Sequence, residues 1–313
     1  MRVKRPIPPL APVETAVLYA VARYRFINVE LLHRVVDATR QTIRDAARRL
    51  RVLGLLGSTG PSLRKFDPDD PDDRREFGKP SFFWVSEKGA TYLAERRQAD
   101  PAVPFVIGSK RRPDEGKEDE HRLGVVAFHI TFRAWAEATG KVGVSFLSDF
   151  EPGSFGMEKV TAVPYVTASG IERAYRPDGY ARFRVAPDAP QELMVLEFER
   201  GGARNDPSPF FRKKLPGIEF AARHELVEEY KQHRSAAPYL IVFATDRLRE
   251  RALPLWPDKD ARIWQRFFIK SLPEIEADGA DFSRGWYRPD GSRPSLFAGP
   301  GAPSPAEMPA QMG

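Results

Sequence analysis

Apolar residues recur at helical spacing from Val13 to about Leu56, which predicts a helical start to the first folded region. A first helix is predicted to bury Val17, Leu18, Val21 and Ala22. A third helix is predicted to bury a core stripe of Ile43, Ala46, Ala47, Leu50 and Leu53. A short second helix is predicted over residues 29–36. Thr39 is suited to cap the third helix, and Gly54 is suited to end it.

The pattern then changes to that of a β-hairpin. Residues 55–60, "LLGSTG", and residues 80–85, "PSFFWV", predict its two strands, and a helix is predicted from near Glu87. The loop between the strands carries an acidic run, "DPDDPDD", at residues 67–73. Residues 98–118 are polar and contain prolines, so they are predicted to be a linker.

A second folded region mixes helices and strands. Helices are predicted from Asp119 to Ala138, over residues 210–233 and over residues 258–277. Apolar segments typical of strands lie at about 142–150, 160–167, 178–185, 192–200 and 238–245. Strands that alternate with helices predict an α/β (α+β) fold for this region.

The length and composition allow two ordinary domains. A chain of 313 residues with 42% hydrophobic residues has enough apolar material for two cores. The predicted organisation, from the N-terminus, is a basic Pro-rich arm (1–12), a first domain (13–97), the linker (98–118), a second domain (119–284) and a Pro/Gly-rich tail (285–313), with disorder expected after Phe297.

The net charge is distributed unevenly. Residues 1–118 contain 23 Lys and Arg against 16 Asp and Glu, a net charge of +7, whereas residues 119–313 contain 26 against 27. This asymmetry indicates a polyanionic partner for the first domain. The chain has no cysteine, no signal-peptide pattern and no apolar run long enough to span a membrane. We therefore expect a bacterial cytoplasmic protein without a membrane partner.

The third helix carries basic residues suited to contact DNA. Arg40, Gln41 and Arg44 lie in its first turns, and such side chains pair with guanine or adenine in the major groove. Arg48 is better placed for a phosphate. Further basic residues that would contact the DNA backbone lie in the hairpin loop: Arg64, Lys65, Arg74, Arg75 and Lys79. The alternative is a solvated arginine-rich face, and the role of the acidic run 67–73 stays open.

Two glutamates end the apolar strand predicted at residues 192–200. Glu197 and Glu199 share one face of this strand, because side chains alternate between the two faces. Asp178 follows Pro177 at the start of the preceding strand, so in an antiparallel pair we expect Asp178 beside Glu197. Converging carboxylates indicate a site for a hard cation such as Mg²⁺, which lowers the pKa of a bound water and stabilises a pentavalent phosphate.

Ordinary structural roles also account for these residues. Ion pairs at the rim of a sheet would explain Glu197 and Glu199, and a turn would explain Asp178. His121 is suited to a hydrogen bond at the start of a helix, and the other histidines lack the spacing of a zinc site. The chain contains no G-x-x-x-x-G-K-[ST] or G-x-S-x-G motif, which argues against a P-loop ATPase and an α/β-hydrolase.

The order of elements resembles two known structures. Residues 13–97 resemble a winged helix-turn-helix, and the Pro-Asp pair, hairpin and glutamate resemble a PD-(D/E)xK nuclease core. Together with "EHRLGVVAFHITF", "RPDGY" and "LEFERG", they resemble the replication-relaxation family of plasmids and mobile elements, over most of residues 13–245. The resemblance implies a mixed sheet flanked by helices. It also implies Glu120, Asp178 and Glu197 as catalytic and metal-binding carboxylates, with Mg²⁺ as cofactor if the site is active.

The resemblance fails at one position. Glu199 stands where these nucleases have a lysine, which orients the attacking water and balances charge. In one interpretation a lysine on a neighbouring helix replaces it, with Lys231 as first choice and Lys213 or Lys214 next. In the other, the core is a degenerate nuclease kept as a scaffold, and Glu199 pairs with one of three arginines, Arg182, Arg184 or Arg200.

These patterns predict a DNA-binding protein of plasmid or mobile-element replication, relaxation or transfer. Its partner would be double-stranded DNA, and a homodimer and plasmid replication or mobilisation proteins are further candidate partners, at the nucleoid or on plasmids. The alternatives are an active Mg²⁺-dependent DNA endonuclease or nickase and a winged-helix transcriptional regulator.

Overall fold

The computed structural model of the chain describes nine segments. These are residues 7–59, 82–100, 103–104, 119–148, 163–166, 170–201, 206–223, 237–257 and 262–296. The chain divides into two compact units, Met1–Val126 and Ala127–Gly313. The division falls inside the helix Asp119–Ala138. The predicted linker at residues 98–118 stays a prediction, because most of it lies outside the described segments.

The described part of the first unit contains four helices and a small antiparallel sheet. The helices are α1 (Pro12–Tyr24), α2 (Val29–His33), α3 (Arg40–Val52) and α4 (Glu87–Ala99). The strands are β1 (Ile27–Asn28), β2 (Leu56–Ser58) and β3 (Phe82–Val85), in the order β1-β3-β2. The predicted pairing of β2 with β3 is confirmed. The sequence does not predict β1, because a strand of two residues has no alternation to detect.

Capping residues set the ends of α3 and the start of α4. The Thr39 hydroxyl accepts a hydrogen bond from the backbone nitrogen of Thr42 (3.2 Å). Gly54 follows α3 with a φ of +74°, a left-handed conformation that glycine adopts without strain. The Ser86 hydroxyl caps α4 and donates to the Gly54 carbonyl oxygen (2.5 Å). All the predicted core positions of α1 and α3 are buried except Leu53.

The second unit is built on a mixed sheet of five strands. They are β4 (Val142–Ser148), β7 (Gly179–Arg184), β8 (Glu192–Glu199), β9 (Tyr239–Phe243) and β10 (Phe267–Ser271), in the order β10-β9-β8-β7-β4. Strands β8, β9 and β10 are parallel, and β7 is antiparallel to both of its neighbours. A separate antiparallel hairpin consists of β5 (Val163–Val166) and β6 (Glu172–Tyr175).

Helices flank this sheet. They are α5 (Asp119–Ala138), α6 (Leu215–Arg223), α7 (Asp246–Ala252) and α8 (Leu272–Asp278). Ile218 of α6 belongs to a buried cluster with Val195 and Ile241 of the sheet. Trp135 of α5 meets Phe183 of β7 edge to face, with ring centroids 5.3 Å apart. The predicted α/β fold with a mixed sheet flanked by helices is confirmed.

The predicted helix over residues 258–277 is wrong. Arg262–Arg266 form a 3₁₀ turn, β10 follows, and α8 begins only at Leu272. Phe267 pairs with Tyr239 in the parallel register of β9. A short apolar run fits a buried strand as well as a helix. Because residues 267–271 pair with the edge of β9, they form a strand and not a helix.

The helix predicted over residues 210–233 is confirmed in its first part. A π-helical turn, Phe210–Lys214, leads directly into α6. Residues 224–236 lie outside the described segments.

Residues 285–296, at the start of the predicted tail, contact the core. Trp286 is fully buried, and its indole nitrogen donates to the carbonyl oxygen of Phe282 (2.7 Å). Tyr287 and Ile269 exchange two backbone hydrogen bonds, of 2.7 and 2.9 Å. None of the described helices is long and apolar enough to cross a lipid bilayer.

Candidate functional site

The turn before β7 places Asp178 at the open end of the β7–β8 hairpin. Gly179 lies opposite Leu196 in the antiparallel register. The backbone nitrogen of Asp178 donates to the Leu196 carbonyl oxygen (3.0 Å), and the backbone nitrogen of Phe198 donates to Asp178 Oδ2 (2.7 Å). Asp178 is therefore buried and fixed beside the last residues of β8.

One lysine links three carboxylates at this end of the sheet. Lys214 Nζ lies 3.2 Å from Asp178 Oδ2 and donates a hydrogen bond to it. The same nitrogen lies 3.7 Å from Glu197 Oε2 and 3.9 Å from Glu199 Oε2. It also donates to the carbonyl oxygen of Phe198 (3.2 Å). We call Asp178, Glu197, Glu199 and Lys214 the carboxylate–lysine cluster.

Lys214 reaches the cluster from the π-helical turn before α6. Lys214 is the last residue of that turn, and the next residue, Leu215, is buried in the core. Lys213, its neighbour in sequence, is exposed. Single π-helical turns are rare and are frequent at functional sites. The π-helical turn places Lys214, and not Lys213, beside the carboxylates.

Glu197 is the most deeply buried member of the cluster. Only 1% of the residue is exposed. Its Oε1 accepts a hydrogen bond from the Tyr175 hydroxyl. Its Oε2 is buried, faces Lys214 Nζ and has no hydrogen-bond partner among the residues that the structure describes. Burial, followed by the charge of Asp178, raises the pKa of Glu197 well above its usual value, although Lys214 and Tyr175 oppose this.

The cluster has more negative than positive groups. Burial lowers the pKa of Lys214, but the charges of Asp178, Glu197 and Glu199 outweigh burial and raise the pKa overall. Lys214 is therefore protonated at neutral pH. When all three acids are ionised, three negative charges face one positive charge, and the formal sum is −2. A buried excess of negative charge is costly unless a cation or protons neutralise it.

Glu199 joins the cluster from the last position of β8. Its side chain is 13% exposed, and its Oε1 accepts a hydrogen bond from the backbone nitrogen of Gly201 (2.8 Å). Gly201 has a φ of +78°, which turns the chain away at once after the strand. Glu199 stands where the nuclease pattern has a lysine, and its carboxylate faces Lys214, which comes from another element.

No protein-family model, curated protein or solved structure matches the chain. Within the described segments, no group of three or more His, Asp or Glu side chains is arranged to hold a metal ion directly. In the cluster the carboxylates surround the ammonium of Lys214.

Neither Glu120 nor Lys231, both predicted for this site, is among the described residues of the second unit. Glu120 is exposed near the start of α5, where His121 is partly buried. Glu120 belongs to the first unit, and its role as a metal ligand stays a prediction. Lys231, the first choice for a displaced lysine, lies outside the described segments. Lys214, a second choice, is the lysine that contacts Asp178.

The predicted DNA-contacting residues of α3 are exposed, and most of them have partners on the protein. Arg40 pairs with Glu30 (2.8 Å), and both side chains are 56% exposed. The amide nitrogen of Gln41 donates to both carboxylate oxygens of Asp45 (3.2 and 3.1 Å). Arg48 lies 3.6 Å from the same carboxylate. Asp45 therefore links two of the side chains predicted to contact DNA.

Arg44 differs from the other basic residues of α3. It is exposed, and among the described residues it makes no hydrogen bond or ion pair. The predicted contacts from the hairpin loop lie outside the described segments, as does the acidic run; they are Arg64, Lys65, Arg74, Arg75 and Lys79, and residues 67–73.

The sequence did not predict two contributions to the cluster. One is the Tyr175 hydroxyl, because β6 is a four-residue strand with three exposed positions and no clear alternation. The other is the Phe198 carbonyl oxygen, because every residue has a backbone carbonyl and residue type does not indicate what it contacts. The signal in the sequence that could have indicated Tyr175 was its position two residues before Pro177 and three before Asp178.

Proposed function

We propose that the chain is a sequence-dependent DNA-binding protein whose second unit is a Mg²⁺-dependent DNA endonuclease or nickase. The observation that carries the proposal is the position of Lys214 Nζ within 4 Å of three carboxylates, Asp178, Glu197 and Glu199. A lysine supplied from a helix restores the group that Glu199 removes from the nuclease pattern. The antiparallel β7–β8 hairpin and the mixed sheet support a PD-(D/E)xK-type core.

The donor groups of the cluster suit a divalent cation. Carboxylate and backbone carbonyl oxygens are the ligands that Mg²⁺ prefers. No described residue makes a hydrogen bond to the buried Oε2 of Glu197, so it is available as a ligand. A formal charge of −2 on the cluster would be neutralised by one such ion. Asp178, Glu197 and the Phe198 carbonyl oxygen are the groups we assign to hold it.

Each residue has a chemical role in this proposal. A divalent cation held by Asp178, Glu197 and the Phe198 carbonyl oxygen would acidify a water and would stabilise charge on the scissile phosphate. Asp178 and Glu197 provide oxygens in fixed positions, since both are buried and hydrogen-bonded. Lys214 is protonated and donates hydrogen bonds, so it can orient the attacking water or a phosphate oxygen. Glu199, at the more exposed edge, would be the group that accepts a proton from the attacking water.

A second candidate function is DNA binding without cleavage. Two observations favour it: the ammonium of Lys214 already lies among the carboxylates, and the pKa of Glu197 is raised. A protonated Glu197 is a weak metal ligand. In this case Lys214 permanently replaces the cation, and the second unit is a scaffold for assembly.

The first unit supports the DNA-binding part of both candidates. Three helices followed by the β2–β3 pair have the order of a winged helix-turn-helix. We propose that the first turns of α3 contact bases, with Arg44 as the principal contact because no described residue engages its guanidinium. The proposal also includes a role in plasmid or mobile-element maintenance and membership of the replication-relaxation family. It further includes a homodimer and a location at the nucleoid or on plasmids.

A plasmid-nicking assay separates the candidates. Supercoiled plasmid is incubated with Mg²⁺ or Mn²⁺ and the wild type, Glu197→Ala or Glu192→Ala. Glu192 is a matched control, because it begins the same strand but lies at its other end. We expect nicking by the wild type and the control and none by Glu197→Ala. A mobility-shift assay with the same DNA tests binding.

The other outcomes have clear meanings. DNA binding without nicking in either metal supports the scaffold. Nicking that persists in Glu197→Ala overturns the proposed site. Binding that responds to a small ligand, without nicking, would instead support a winged-helix transcriptional regulator.

A further inference from the structure

Tyr175 reaches the cluster from outside the main sheet. It ends β6, which pairs with β5 alone among the described strands, and Tyr175 lies opposite Val163 in that hairpin. The Tyr175 ring is buried, and its hydroxyl donates to Glu197 Oε1. A separate two-stranded element therefore supplies one of the hydrogen bonds to the most buried carboxylate.

The helix that carries Lys214 into the site also packs on this hairpin. A Cβ atom on Gly217 of α6 would lie 2.9 Å from Tyr175 Cβ and 3.0 Å from Tyr165 Cε1. Only a residue without a side chain allows this close approach. Lys214 and Gly217 are three residues apart, so the helical segment that packs on Tyr175 also carries the lysine.

The two oxygens of Glu197 have separate partners. Oε1 is held by the Tyr175 hydroxyl, and Oε2 faces Lys214 Nζ at 3.7 Å. Burial, followed by the charge of Glu197, raises the pKa of Tyr175, so the phenol keeps its proton and remains a donor. A carboxylate held at one oxygen has a fixed orientation at the other.

We propose that Tyr175 is a positioning residue that orients Glu197, so that Oε2 alone points to Lys214 and to the cation. This rests on the proposed function, in which Glu197 is a metal ligand. Groups that hydrogen-bond to a metal-binding side chain fix its orientation, and their loss typically weakens metal binding by about 10- to 100-fold. Tyr175 contacts neither the cation nor the substrate in this proposal.

The test compares Tyr175→Phe with Tyr165→Phe in the full chain. Each substitution removes one hydroxyl from a buried tyrosine of the same hairpin, and both residues lie against α6 at Gly217. Only the Tyr175 hydroxyl bonds to the cluster. Mn²⁺ binding is measured by calorimetry without DNA. The rise in Tm caused by Mn²⁺ is measured in the same samples, so each variant is compared with itself if its basal stability differs.

We expect Mn²⁺ affinity to fall about tenfold or more in Tyr175→Phe and to stay at the wild-type value in Tyr165→Phe. Nicking by Tyr175→Phe should recover as the Mn²⁺ concentration is raised, because the lost interaction acts on ion binding. Equal Mn²⁺ affinity in the two variants overturns the role of Tyr175. Failure of the wild type to bind Mn²⁺ overturns the proposed metal site instead, so the two failures are distinguishable.

Discussion

The charged residues of α3 and those of the carboxylate–lysine cluster differ in their exposure to water, and therefore in how strongly their charges affect one another. The Arg40–Glu30 pair is closer than any ion pair of the cluster, at 2.8 Å, yet both side chains are more than half exposed. Glu197 lies 3.7 Å from Lys214 Nζ but is 1% exposed. Water screens the first pair, and such pairs contribute roughly 0–1 kcal/mol. Burial makes the second set of charges interdependent.

This difference predicts where substitutions will act. In α3 they should change DNA binding and leave the free energy of unfolding nearly unchanged. In the cluster they should change stability, cation binding and cleavage together, because removal of one charge leaves its partners buried and uncompensated.

The largest effect is expected from Lys214→Ala. Loss of the ammonium leaves three carboxylates facing one another, which costs roughly 3–5 kcal/mol for a fully buried partner. Because 33% of the Lys214 side chain is exposed, we expect about 2–3 kcal/mol, measured by urea unfolding. Nicking should fall by about 100-fold or more.

Lys213→Ala is the control for this prediction. The residue is adjacent but exposed, so the free energy of unfolding should change by less than about 0.5 kcal/mol. Equal destabilisation by the two substitutions would contradict the position assigned to Lys214.

Arg44→Ala should have the next largest effect, on DNA binding alone. A lost bidentate contact to a base costs about 1–3 kcal/mol and relaxes sequence preference. Arg40→Ala should cost less, since Arg40 already pairs with Glu30. Arg75→Ala should weaken binding to all sequences evenly and reduce its salt dependence. Binding is measured by fluorescence anisotropy on a panel of duplexes, and an unchanged preference in Arg44→Ala would refute base contact by α3.

A smaller effect is expected from Glu197→Gln, as a change in the pH dependence of stability. The pKa of Glu197 is raised in the folded protein, so the folded state binds more protons than the unfolded state above the unfolded pKa of about 4.3. The free energy of unfolding should therefore fall as pH rises from there through the folded pKa. The amide cannot ionise, so Glu197→Gln should remove this slope.

The comparison is made in the presence of a chelator. At pH 8 the metal-free Glu197→Gln protein should be more stable than the wild type by on the order of 1 kcal/mol. The pKa of Lys214 is also raised, but its contribution is lost only as pH rises above its ordinary value of about 10.4, so it does not affect this range. Parallel pH profiles for the two proteins would show that Glu197 is ionised without cost.

The smallest effect is expected from Asp45→Asn. This change removes the negative charge beside Arg48 and one of the two oxygens that accept from the Gln41 amide, whereas Oδ1 can still accept from it. Stability should change by less than about 0.5 kcal/mol. DNA affinity should rise modestly, and most at low salt, because the surface becomes more positive. Weaker DNA binding would show that Asp45 orients Gln41 for the DNA contact.

Local patterns predicted much of this fold correctly. The stripe of α3, its Thr39 cap and the pairing of β2 with β3 depend on residues close in sequence or on alternation along one strand. The same patterns failed for residues 258–277, where an apolar run suits either a helix or a strand. Pairing of β10 with β9 decided between them, and that contact is not local.

The sequence by itself determined the acids of the site and the basic face of α3. Asp178 and Glu197 follow from a Pro-Asp turn and a strand whose apolar run ends in carboxylates, because antiparallel pairing brings such ends together. Only the tertiary structure decided which groups complete the site. Lys214 and Tyr175 come from a π-helical turn and a separate hairpin, and their contacts with Glu197 depend on how α6 packs. Packing across distant segments leaves no spacing in a single sequence, so Tyr175 was not predicted and Lys214 was only one of three candidate lysines.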